Sequence, residues 1–133
     1  MANAQAILMV ETQLPLMMNC ADGGAIAKGD ALKLSGALTV VKCTAADDEF
    51  GGIAAEEKIA NDGKTQIAVY RDGIFKVEVG TTGCSLGMPC KLEAVNEFTT
   101  TAANNSDIGY NFGIALEAGT DGQFILMELG RGN

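Results

Sequence analysis

The residues of this 133-residue chain whose types can do chemistry are four cysteines, a few serines and several closely placed carboxylates. Nucleophilic catalysis by Ser35, Ser85, Ser106 or a cysteine needs a general base, and the chain contains no histidine. Asp47, Asp48, Glu56, Glu57, Asp62 and Asp72 are able to form carboxylate pairs of the kind glycosidases use. Their spacing singles out no pair, and most stand at turn positions where Asp is favoured for backbone reasons. Cys20, Cys43, Cys84 and Cys90 include no Cys-x-x-Cys pair, so buried, reduced thiols are expected rather than a zinc site. Asp47-Asp48-Glu49 lacks the ligand spacing of a calcium loop and is expected to be solvated. The run Gly80-Thr81-Thr82-Gly83-Cys84-Ser85-Leu86-Gly87 has no Gly-Lys-Ser/Thr ending and reads as a linker. The expectation is a protein without catalytic site, metal or cofactor.

Charge points the same way. A net charge of -8 and nine Lys and Arg in all leave no basic stripe for phosphate neutralisation, so no nucleic-acid partner is expected. No segment is apolar over a membrane-spanning length, and Met1-Ala2-Asn3-Ala4-Gln5 lacks the basic region of a secretory signal. Synthesis in a cytoplasm and no membrane association are therefore expected.

The elements that must position these residues repeat. Gly29-Asp30-Ala31-Leu32-Lys33-Leu34 returns as Gly87-Met88-Pro89-Cys90-Lys91-Leu92, and Gly52-Ile53-Ala54-Ala55-Glu56 as Gly113-Ile114-Ala115-Leu116-Glu117. Asp62-Gly63 and its apolar run to Gly73 match Asp121-Gly122 and the run to Gly132. The common order predicts an internal duplication over 29–73 and 87–132. Neither half alone buries enough surface to be stable, so one pseudo-symmetric domain over 23–133 is expected. Gly29, Gly87, Gly73 and Gly132 are assigned to backbone geometry.

Seventeen glycines, Asp-Gly turns and short alternating runs such as Ile74-Phe75-Lys76-Val77-Glu78-Val79 predict an antiparallel β-barrel or sandwich. A helical turn is expected at most over 54–60, and a polar loop over 101–107.

Residues 1–22 have no counterpart in that repeat and carry little charge. Pro15 argues against a continuous helix, so an extended N-terminal arm is predicted. Ile7, Leu8, Met9, Val10, Leu14, Leu16 and Met17 are the candidate partner-binding residues, adaptable Met side chains suiting an imperfectly matched groove. The alternative, a first strand in the protein's own core, stays open. Deletion of residues 2–18 separates the two: a free arm leaves the body folded, a core strand does not.

The segments Ile26-Ala27-Lys28-Gly29-Asp30-Ala31-Leu32, Phe50-Gly51-Gly52-Ile53-Ala54, Asp62-Gly63 to Val69 and Asp72-Gly73-Ile74-Phe75 resemble the capsid cement, or head decoration, proteins of tailed bacteriophages. Leu86-Gly87-Met88-Pro89 and Phe112-Gly113-Ile114-Ala115-Leu116 extend the resemblance to the second half, while the first 20 residues depart from it. The resemblance implies a β-rich homotrimer without enzyme activity that binds the outer surface of the phage head and clamps neighbouring major capsid subunits. Two alternatives remain. One is another virion component such as a head-fibre base, and the other a small trimeric β-barrel enzyme acting on nucleotides.

Overall fold

The computed structural model describes residues 4–44, 50–100 and 113–130. These residues form eleven strands and no helix, the 54–60 stretch included. The strands are β1 (Ile7–Val10), β2 (Leu16–Asn19), β3 (Ala31–Gly36), β4 (Thr39–Lys42), β5 (Phe50–Ala54), β6 (Gln66–Tyr70), β7 (Gly73–Val79), β8 (Pro89–Ala94), β9 (Glu97–Thr100), β10 (Gly113–Ala115) and β11 (Phe124–Leu129). The acidic cluster 47–49 and the 101–107 loop lie outside the described residues.

Two closed barrels result. Barrel one has the order β2-β4-β3-β5-β6, with β6 pairing back to β2. Barrel two is β7-β11-β10-β8-β9, closed by the parallel pairing of β9 with β7, and β1 is added outside it on β7. The predicted β-barrel of two pseudo-symmetric repeats is what the chain forms.

The repetition extends to register. Leu34 opposes Val40 and Gly36 opposes Thr39 across a bulge in barrel one, just as Leu92 opposes Phe98 and Ala94 opposes Glu97 in barrel two. The isolated bridge Ile26–Lys58 returns as Cys84–Gly119. Each bulged hairpin turns through a non-glycine residue with positive φ, Leu38 (φ 49°) in one and Asn96 (φ 57°) in the other. Leu16 faces Val69 as Phe75 faces Met127, and the single parallel pair Asn19–Thr39 returns in Glu78–Glu97.

These registers move the repeat boundaries. Repeat one includes β2, so its first strand lies inside the expected arm, and Gly73 begins the first strand of repeat two rather than closing repeat one. The segment 80–87, expected as a linker, lies within barrel two between β7 and β8. Only Arg71 and Asp72 separate the last strand of barrel one from the first of barrel two.

The physical reason for the shift is burial. Met18 and Cys20 point inward and join Ile26, Leu32, Val40, Ala54, Ile67 and Val69 as the filling of barrel one, and β2 supplies edges that β6 and β4 would otherwise leave open. A second cluster fills barrel two around Phe75, Phe98, Leu92 and Met127. It runs on into barrel one through Ala31, Cys43 and Ile53, so the barrels share apolar packing.

Candidate partner-binding surface

The N-terminal segment is laid across both barrels. Ala4 N donates to Glu78 Oε1 (2.7 Å) and Ala6 N to the Gly29 carbonyl (2.9 Å), which ties its start to the seam between them. Further along, Tyr70 Oη donates to Glu11 Oε2 (3.1 Å) and Thr12 Oγ1 to Asp72 Oδ1 (2.5 Å). Burial and then the Glu11 carboxylate push the Tyr70 hydroxyl above its ordinary pKa. Gly29 has φ +90°, and a Cβ there would strike the Ala6 carbonyl, so this crossing needs glycine.

Strand alternation then sorts the seven candidate residues. Leu8, opposite Phe75, is partly buried against the core of barrel two. Ile7, Met9, Val10, Leu14, Leu16 and Met17 remain 48–84% exposed. These six give the N-terminal segment an apolar outer side, which makes it the candidate surface for a partner.

The seam itself is polar at one point. Asn96 Nδ2 donates to Asp30 Oδ1 (3.0 Å), and Ala31 N donates to Asn96 Oδ1 (2.7 Å). Asp30 Oδ2 accepts from Ala27 N (2.9 Å) and lies 3.6 Å from the Lys42 ammonium. Beside this, the Tyr70 and Phe75 rings meet edge to face at 5.6 Å.

Among the described residues, several of the chemistry-capable side chains are bonded within the fold. Lys58, fully buried, donates to Asp62 Oδ1 (2.6 Å), Asp22 Oδ1 (3.1 Å) and the Asp22 and Ile59 carbonyls. Burial alone would lower the ammonium pKa, but the hydrogen bonds to Asp62 and Asp22 outweigh it and raise it. In return the Lys58 and Lys64 hydrogen bonds hold the Asp62 carboxyl down at about 2. Glu56 Oε2 accepts from Ala68 N (2.8 Å). All four cysteines are buried thiols outside any disulfide, and desolvation raises the Cys84 thiol to about 11 and Cys90 further.

One acidic pair escaped the sequence. Glu78 and Glu97 are parallel cross-strand partners and both are buried, whereas alternation in 74–79 placed Glu78 outward. Desolvation first and the Glu78 charge second raise the Glu97 pKa. The only signal was positional: Glu97 follows Asn96 in the turn matching Leu38-Thr39, where the strand returns beside β7.

No protein-family model matches the chain, and no curated protein does. Among solved structures, the N base of the head fibre gp8.5 of bacteriophage phi29 superposes with a TM-score of 0.57 at 16% identity. The match covers 94% of this chain and 98% of that one. The two share a fold. At that identity the likeness describes architecture.

Proposed function

We propose that this chain is a structural protein of a phage head, bound as a trimer to the outer surface of the capsid and bracing neighbouring major capsid subunits. The observation that carries this is the match of nearly the whole double barrel to a head-fibre base, with Ile7, Met9, Val10, Leu14 and Met17 left outward. Burial of four or five of those side chains against a shell would contribute on the order of 5–10 kcal/mol before ordering costs are subtracted. Repetition over many sites makes modest affinity effective. The chain is read as having no catalytic role and no cofactor: Asp22 and Asp62 pair with Lys58, and Glu56 bonds the Ala68 amide.

A second role on the same surface, the base of a head fibre, is favoured by the superposed protein itself. Quantitative mass spectrometry of purified particles separates them. A ratio near one copy per major capsid subunit supports bracing, a few trimers per head supports a fibre base, and absence from particles overturns both.

A further inference from the structure

The seam between the barrels has two sides, and each barrel carries both. Barrel one offers the Gly29 loop, and barrel two offers β7 with the β8–β9 turn. At the seam Gly29, Asp30, Phe75 and Asn96 are all buried, the last three to 1% exposure.

The register assigns each of these an equivalent in the other barrel. Leu16 corresponds to Phe75 and is 48% exposed, and Leu38 corresponds to Asn96 and is 62% exposed. Gly87 and Met88 correspond to Gly29 and Asp30. Gly87 is exposed, with nothing within 4 Å of an added Cβ, where Gly29 meets Ala6. Barrel one thus carries an uncovered copy of the β7 side, and barrel two an uncovered copy of the Gly29 side.

We infer that these two faces are the halves of an interface between copies of this chain, with the Leu16–Leu38 face of barrel one seated on the Gly87–Met88 loop of barrel two in the next copy. Chemistry favours a second copy as the occupant. Each face repeats the backbone register of one side of the intrachain seam, where the two sides are fitted together. Where the polar seam sets Asn96 against Asp30, the outer one sets Leu38 against Met88, apolar against apolar. Both sides change character together. An isologous contact would need one face to match itself; these match each other, so the association is head to tail, and the trimer is the case in which the rotation closes after three copies. This deepens the trimer in the preceding proposal. It is tested apart from capsid attachment, because assembly is measured on the chain alone.

The test is the mass of the full chain by sedimentation equilibrium, wild type beside three variants. Leu38→Asn places at the positive-φ turn the residue its equivalent already carries, so the fold is retained. Met88→Asp does the same for the opposite face; should it fail to fold, Leu86→Lys, matching Lys28, replaces it. Ile59→Ser removes an equally exposed side chain that belongs to neither face. The expected result is an assembled wild type and Ile59→Ser, with association weakened about tenfold or more by a change on either face. A monomeric wild type, wild-type mass in either face variant, or equal loss in Ile59→Ser overturns the inference.

Discussion

Asn96 in the β8–β9 turn and Asp30 at the mouth of barrel one are 66 residues apart in sequence and 3.0 Å apart in space, and their hydrogen bond is the polar centre of the seam. Asn96 also accepts from Ala31 N, so one side chain satisfies a carboxylate and a backbone donor that barrel closure has removed from water. Its positive φ is the conformation Asn tolerates best after glycine.

Asn96→Ala is therefore expected to cost about 2–4 kcal/mol, combining two buried groups left unpaired with a side chain that lacks Asn's tolerance of that φ. Urea unfolding followed by circular dichroism measures it. A loss below 0.5 kcal/mol, roughly the level of a surface change, would mean the seam does not depend on this pair.

Truncation should distinguish the two N-terminal strands. Loss of residues 2–12 removes β1, bares Phe75 and the seam, and leaves both barrels closed; loss of residues 2–18 also takes most of β2 and opens barrel one. The shorter deletion is expected to unfold cooperatively at a lower temperature, and the longer to lose amide-exchange protection in β4 and β6. Retained protection there would return β2 to the status of a free arm.

Asp62 predicts a window of acid sensitivity. Its folded pKa of about 2 lies below the ordinary aspartate value of 3.8, so the stability from its bond to Lys58 is present above about pH 4 and is lost as pH falls toward 2. Asp62→Asn should be less stable at neutral pH and flatter across that window. Identical slopes from pH 4 to 2 in both proteins would count against the pairing.

Glu97 works with the opposite sign. Because its folded pKa is raised above 4.5, the folded state holds the proton more tightly, and stability falls as pH rises from 4.5 through the raised value. Glu97→Gln should raise the melting temperature at neutral pH and remove that fall. A variant less stable at pH 7 would show that the carboxylate makes a favourable contact there.

Ile7→Ser combined with Met9→Ser should leave the melting temperature within a few degrees, since both side chains are about half exposed. Co-sedimentation with purified phage heads should fall about tenfold or more if β1 faces the capsid. Unchanged binding would move the contact to another face.

What the sequence determined by itself was local or self-similar. Alternation over Ile74–Val79, Asp-Gly turns and the doubled Gly-Ile-Ala run identify strands and a duplication, because strand period and turn chemistry act within a few residues. Whether Ile7, Met9, Leu14 and Met17 face outward was not legible, since residues 1–22 read equally as an arm and as a core strand. Tertiary structure alone decided which strand closes which barrel. Leu16-Met17-Met18-Asn19 has no sequence likeness to Phe75-Lys76-Val77-Glu78, yet both occupy the first strand, because that place is set by register against β6 and β11 rather than by side-chain identity. The fates of Glu78, buried where alternation set it outward, and of Asn96, buried where Leu38 is exposed, depend on neighbours brought from far along the chain. Barrel closure and the seam supply those neighbours, and both exist only once non-local strands have paired.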